Sequence, residues 1–212
     1  MKLYGYWRSG AAWRVRIALN LKGIAYDSIS VHLMRDGGEH TKPAYRAINP
    51  QMRVPSLVLD DGTVLVQSPA ILEWIEETYP SPALMPRDSV ARAKVRGAAS
   101  IIGCDVHPLT NAAGTLKVLR QTHKLDDAAI LAWLTEWTRA GFTAVETMVG
   151  DGPFSFGDQP TLADIFIVPQ LAAAKRFNVP VDDFKRINRI AAHCATLDAF
   201  RKAAPENQPD KE

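Results

Sequence analysis

Over the first 80 residues the apolar positions change period several times. Lys2–Trp7 reads as a strand. In Ala11–Lys22, Ala12, Val15 and Leu19 form one stripe, with Trp13, Ile17 and Leu21 beside it. Two adjoining stripes at helical spacing predict a helix with a wide buried face. Gly23 is a natural stop. Tyr26–Leu33 then alternates, Ile29, Val31 and Leu33 against Ser28, Ser30 and His32, the period of a half-buried strand. Strand, helix and strand in this order predict a parallel, right-handed βαβ unit. Pro55–Leu59 and Thr63–Gln67 are short apolar runs joined by Asp61-Gly62, a hairpin signal, so this pair is antiparallel. Ser68-Pro69 opens a helix, Ser68 as N-cap and Pro69 at N1, which stops near Thr78, before Pro80. The order βαβαββα predicts a mixed sheet of thioredoxin-like type.

After this the pattern is helical throughout. Pro80-Ser81-Pro82 and Pro86-Arg87-Asp88 bracket a stiff linker. Ser89–Cys104, Asp126–Val149, Leu162–Phe177 and Phe184–Lys202 carry helical periodicity, and the polar, Pro-containing tail Ala204–Glu212 is expected to fray. The fold class is therefore α/β plus all-α: a thioredoxin-like domain over 1–80, a linker over 81–88 and an all-helical domain over 89–212.

Composition narrows the function classes. Of the 212 residues 47% are hydrophobic and 23% charged, ordinary for a globular protein. A net charge of +2 argues against nucleic-acid binding, which calls for a concentrated basic patch. No apolar run approaches the roughly 18 residues that span a membrane. A strand pattern that starts at Met1 leaves no room for a signal peptide, so a cytoplasmic location is expected. Cys104 and Cys194 are isolated and are read as reduced thiols, and the histidines show no metal-ligand spacing.

Candidate chemistry lies where strands turn into helices. Ser9-Gly10-Ala11-Ala12 leads straight into a helix, whose first N–H groups are unpaired and carry partial positive charge. An anion is stabilised at such a terminus: Ser9 can donate its hydroxyl proton, and Gly10 and the two alanines, Ala11 and Ala12, let a ligand approach the backbone closely. A thiol there is pushed toward thiolate. The alternative is that Ser9 only caps the helix. Gln67-Ser68 is a second terminus of this kind, suited to a carboxylate or equally to a plain cap. In Asn49–Pro55, a cis Val54–Pro55 bond would turn the backbone toward an extended peptide ligand; a trans bond would merely start a strand. Thr161-Leu162-Ala163-Asp164 has the spacing of a capping box and is read as structural. His107 and Asn111 are four apart and share a helix face, kinked or just starting at Pro108. Arg8 and Arg176 are guanidinium groups able to grip carboxylates, or simply solvated charges.

Taken together, "RSGAAWRVRIALNLKGI", "INPQMRVPSLVLDDG", "VQSPAILEWIEETYP", "SFGDQPTLADIFIVPQ" and "RFNVPVD" resemble the zeta-class glutathione transferases, the class of maleylacetoacetate and maleylpyruvate isomerases. "CDVHPLTN" and "LDAFRKAAPENQPD" look most similar to the bacterial maleylpyruvate isomerases. The resemblance implies glutathione as cofactor, with its γ-glutamyl carboxylate at Gln67 and Ser68 and its cysteinyl backbone at Val54 before Pro55. It also implies the sulfur at Ser9, Gly10 and Ala11, peptide contacts from His40 and Gln51, and glycyl-end contacts from His107 and Asn111. Arg8 and Arg176 would meet the carboxylates and developing enolate of a small electrophilic acid. A homodimer is implied too. The chain departs from the family at Ala11-Ala12, where polar residues are usual, and at Ala112-Ala113, where the maleylpyruvate isomerases carry arginines. Two readings follow: a glutathione-dependent isomerase or transferase, and a glutathione-binding homologue with weak or no isomerase activity. Without a cysteine in the first turn, disulfide exchange there is excluded.

Overall fold

Strand β1 (Lys2–Gly5) pairs in parallel with β2 (Asp27–Ser30) and antiparallel with β3 (Ser56–Val58), which pairs antiparallel with β4 (Val64–Val66). This sheet, ordered β2-β1-β3-β4, is described by a computed structural model covering all residues, Met1–Glu212. The chain forms two compact units, Met1–Ala83 together with Thr196–Glu212, and Leu84–Ala195. The strands are shorter than their apolar runs.

In the first unit, α1 (Gly10–Leu21) follows β1 and α3 (Ser68–Thr78) follows β4, with a short α2 (Pro43–Ile48) between. Every residue of α1 from Ala12 to Leu19 is buried, Arg14 and Arg16 included. The hairpin turn is held by the Asp61 side chain, which accepts the Thr63 N–H at 2.8 Å, and by Gly62 at φ 88°. That left-handed conformation is cheap only for glycine. One expectation needs correction at α3: Ser68 is its first residue, and the N-cap is Gln67 at φ 68°, ψ 115°.

The second unit is helical. Asp88 caps α4 (Ser89–Ser100) by accepting the Ala91 N–H at 2.8 Å. The helix continues through a wider π segment, Ile101–Val106, into α5 (His107–Thr110). There His107 N–H bonds back to Ile102 O, five residues away. Pro108 lies one step on, has no N–H to continue the ordinary ladder, and the wider turn absorbs the mismatch. The sequence pattern misses α6 (Thr115–Gln121). Asp126 caps the long α7 (Asp127–Met148), accepting from Ala129 N–H at 2.8 Å. Then come α8 (Leu162–Arg176) and α9 (Lys185–Cys194). No side chain near the start of α9 caps it. Instead the Glu146 carboxylate of α7 accepts the N–H groups of Arg186 and Ile187 at 2.7 and 3.0 Å.

The expected single helix Phe184–Lys202 breaks into α9 and α10 (Asp198–Ala203), and the break falls where the chain leaves the second unit for the first. The division placed at 89–212 therefore changes: residues from Thr196 onward belong with the sheet. The tail does not fray. Gln208 is buried and its amide donates to Lys202 O at 2.8 Å and Ala204 O at 2.9 Å, while Asn207 donates to Arg201 O at 2.8 Å. A polar segment stays ordered when its side chains satisfy its own backbone carbonyls, which composition alone does not reveal.

Candidate functional site

The register of the sheet decides which loops meet. Tyr4 lies opposite Ser56, and Ser56 opposite Val66. The end of β1, the start of β3 and the end of β4 therefore share one end of the sheet. Three segments singled out from sequence converge there: the turn at Ser9, the Val54–Pro55 bond and Gln67-Ser68. None of this proximity is visible in the chain order.

At the first segment, Ser9 is extended (φ −72°, ψ 117°), its N–H donates to Tyr6 O at 2.9 Å, and its Oγ accepts the Ala12 N–H at 3.2 Å. Ser9 is thus a genuine N-cap. Capping uses only a lone pair, so the hydroxyl proton is left for an anion, and the two readings of Ser9 coexist. Ala11 is half-buried; Ala12 is fully buried and packs on Gly5, where an added Cβ would lie 3.1 Å from the Ala12 Cβ. The side chain at position 12 faces the sheet, so its lack of a hydroxyl removes nothing from the mouth of the turn. Within this turn, the departure from the family pattern that bears on chemistry reduces to Ala11; Ala112-Ala113 stand apart from it in the helical unit.

The second segment enters β3 through a cis Val54–Pro55 bond, with Pro55 buried and Val54 half-buried. Asn49 organises the loop ahead of it, its carboxamide donating to Arg53 O at 2.7 Å and accepting from Gln51 N–H at 3.0 Å. Tyr45 Oη lies 2.7 Å from Arg53 O and 2.8 Å from Ser56 Oγ.

At the third, Ser68 is buried and accepts from the Arg14 guanidinium at 3.4 Å. The N-terminus of α3 therefore has a buried cation behind it, adding to the helix dipole. Gln67 holds its positive φ, a conformation that costs a non-glycine residue about 1–3 kcal/mol, and its side chain donates to Gln51 Oε1 at 2.6 Å. Gln51 and Gln67, predicted separately, are thus joined in one pair. His40 sits in a short helical turn, Glu39–Thr41, of the same unit.

Arg8 is exposed; its guanidinium lies 4.8 Å over the Trp7 ring and 3.5 Å from Tyr6 Oη. In the helical unit, His107 Nε2 lies 3.3 Å from Asn111 Nδ2, the shared face expected of them. Arg176, exposed at the end of α8, stacks over Phe177 at 4.7 Å. No three His, Cys, Asp or Glu side chains gather into a metal-binding group. Both cysteines are free; Cys104 is exposed, and burial pushes the Cys194 thiol far above its ordinary value. Asp164, at the start of α8, is fully occupied. Its carboxylate accepts from Ser155 N and Oγ at 2.8 and 2.7 Å and from Thr161 N and Oγ1 at 2.7 and 2.8 Å.

Two residues that matter escaped the sequence reading, Arg14 and Arg16. The available signal was two arginines inside a helical stretch, Ala11–Leu19, that is otherwise apolar. Arg16 is buried and donates only to backbone carbonyls: Nε to Ala203 O at 2.9 Å, Nη1 to Tyr6 O at 3.4 Å and Nη2 to Trp7 O at 2.9 Å. Burial brings its pKa down to about 10, opposed by Tyr26 and Asp210.

A thioredoxin-like sheet that presents two helix N-termini and a cis-proline loop at one end, in a chain that also carries a helical unit, defines a class. Residues 8–78 match the family model of the glutathione S-transferase N-terminal domain, and residues 127–196 that of the C-terminal domain. The chain belongs to the glutathione S-transferase family, in its zeta class of maleylacetoacetate and maleylpyruvate isomerases. It is 53% identical over 210 residues to a maleylacetoacetate isomerase of Pseudomonas aeruginosa, covering 99% of this chain and 98% of that one. It is 51% identical over 215 residues to a maleylpyruvate isomerase of a Ralstonia species, covering 99% of each. Among solved structures, a holo zeta-class maleylpyruvate isomerase superposes with a TM-score of 0.95 at 50% identity over all of both chains. A maleylacetoacetate isomerase of Methylobacterium extorquens, solved with malonate and glutathione, gives 0.93 at 37% identity, again over both whole chains. No helix is long and apolar enough to cross a membrane.

Proposed function

We propose that this protein is a glutathione-dependent cis–trans isomerase of small dienolic diacids of the maleylpyruvate and maleylacetoacetate kind. The observation that carries this reading is the convergence, at one end of the sheet, of the Ser9 turn, the Val54–Pro55 loop and the Gln67-Ser68 helix start. That end fits an extended peptide with a thiol near its middle and a carboxylate at one end. Helix α3 offers N–H groups and the Ser68 hydroxyl to the carboxylate, backed by Arg14. Val54 offers its backbone to the peptide, Gln51 and His40 border it, and His107 and Asn111 are assigned the glycyl end.

Glutathione, when bound, supplies the nucleophilic sulfur that makes the double bond transiently single. The protein's part is electrostatic. Ser9 donates its hydroxyl proton toward the sulfur, and Gly10 and Ala11 bring the first turn of α1 close, holding the thiol in its ionised form. Arg8 and Arg176 fix the carboxylates of the acid substrate and offset charge that develops on it. Malonate and glutathione bound to a relative at 37% identity support a diacid beside the tripeptide. A cytoplasmic homodimer is part of this reading; the unpaired Cys104 and Cys194 are in keeping with a reducing compartment.

The test is loss of maleylpyruvate or maleylacetoacetate absorbance with glutathione present, in the wild type and in Ser9→Ala. Wild-type turnover should far exceed that of free glutathione, and the variant should lose about 10²-fold in kcat, as when one preorganised donor is removed. Wild-type turnover equal to free glutathione sinks the isomerase reading and leaves the glutathione-binding homologue.

A further inference from the structure

The segment that returns from the helical unit, Thr196–Glu212, packs against the sheet unit at the backbone that leads into Ser9. The Asp210 carboxylate accepts the Trp7 N–H at 3.2 Å and the Ser30 hydroxyl at 2.9 Å. On the other side of Trp7, its carbonyl accepts from Arg16 Nη2, and the same guanidinium holds Ala203 O of the returning segment through Nε. The Tyr6 carbonyl takes both Arg16 Nη1 and the Ser9 N–H. The peptide groups on both sides of Trp7 are therefore fixed by residues that belong to, or hang on, the C-terminal segment.

A second line of contacts supports Arg8. The Arg8 guanidinium reaches Tyr6 Oη, and the Tyr6 ring meets the His32 ring edge-on with centroids 4.8 Å apart. His32 Nδ1 accepts the N–H groups of Met34 and Arg35 at 3.1 and 2.7 Å, so the ring proton lies on Nε2, which donates to Glu212 at 3.1 Å. Glu212 is also paired with Arg35.

We propose that the C-terminal segment is a strap that positions the Ser9 turn and Arg8, with Asp210 and Arg16 as its positioning residues. Neither touches the reacting atoms. Asp210 fixes the amide face of the Trp7 peptide and Arg16 the carbonyl face, so Ser9 and the first N–H groups of α1 are held where a sulfur would need them. A displacement of about 1 Å in such groups can cost about 10²-fold in rate. The inference rests on the proposed glutathione site, and the experiment separates the two.

The protein is compared as wild type, Asp210→Ala, Asp210→Asn and a chain ending at Pro209. Thermal unfolding establishes that each is folded. Glutathione binding is titrated, the pKa of the bound thiol is read from thiolate absorbance against pH, and kcat and KM are measured separately. Asp210→Ala and the shortened chain should lose about tenfold or more in kcat and raise the bound-thiol pKa, with glutathione affinity within about threefold of wild type. Asp210→Asn, which keeps an acceptor for Trp7 N–H, should recover most of that loss. Folded Asp210→Ala and shortened proteins with wild-type kcat and thiol pKa overturn the strap, even if their melting temperatures fall. Should Asp210→Ala fail to fold, the shortened chain and Asp210→Asn decide by the same readouts. Absence of saturable glutathione binding by the wild type overturns the proposed function, and the strap with it.

Discussion

Removing the Asp164 carboxylate tests whether the start of α8 is held by the polar knot seen there. Asp164 and Ser155 have no exposed surface, and Thr161 keeps 7%. Asp164→Ala withdraws the acceptor from four donors at once: the N–H and hydroxyl of Ser155 and of Thr161. The two hydroxyls can turn elsewhere, but the two backbone N–H groups cannot, and each stranded donor costs about 1–3 kcal/mol. The N-cap residue of α8, Thr161, stays in place, so no separate capping loss is added. Against the stranded donors, the variant no longer buries a carboxyl whose pKa burial pushes upward. The net expected loss is about 3–5 kcal/mol, as for a buried partner removed from a satisfied network. In urea, followed by far-UV circular dichroism, a loss of about 4 kcal/mol moves the midpoint by about 2 M at a slope near 2 kcal/mol/M. Asp164→Asn should recover little, because its NH₂ points at two of the four donors. Ser155→Ala, which leaves the carboxylate its other donors, should cost only about 1–2 kcal/mol. If Asp164→Ala and Asp164→Asn both fall within about 1 kcal/mol of wild type, the knot is not what anchors α8.

Other outcomes follow from the same structure. Gln170 is buried, donates to Thr110 Oγ1 at 3.2 Å and leaves its Oε1 without a partner, so Gln170→Leu should change stability by less than about 1 kcal/mol in the same urea experiment. Asp151, Asp183 and Glu212 are held below the ordinary carboxyl range by Arg186, Arg139 and Arg35 respectively. Groups whose folded pKa is depressed contribute stability above their unfolded value, near pH 4, and lose it as pH falls through the folded value. Melting temperature should therefore drop below about pH 4, and Arg186→Met should make that drop shallower; parallel curves for variant and wild type would discount the Asp151 pair.

The periodicity of the chain was enough for the two kinds of architecture and for the boundaries of α1, α3, α7 and α8 to within a residue or two, whereas ligand roles for His40, Gln51, His107, Asn111, Arg8 and Arg176 rest on the family resemblance. Architecture and boundaries follow from local rules: apolar spacing, caps and hairpin turns act over a few residues. The sequence also carried the capping-box reading of Asp164, since residues three apart in a first helical turn must meet. What it left open depended on contacts far apart in the chain. Whether Ala12 faced a ligand or the sheet was decided by Gly5. Which loops share one end of the sheet was decided by strand register. The tail looked ready to fray because polar composition records only a preference for water. Its order comes from pairings such as Ser30 with Asp210 and His32 with Glu212, 180 residues apart. Arg14 and Arg16 look like ordinary surface charges until the fold buries them, one behind Ser68 and the other against three carbonyls. Burial removes their water, and only tertiary structure can supply the acceptors that replace it.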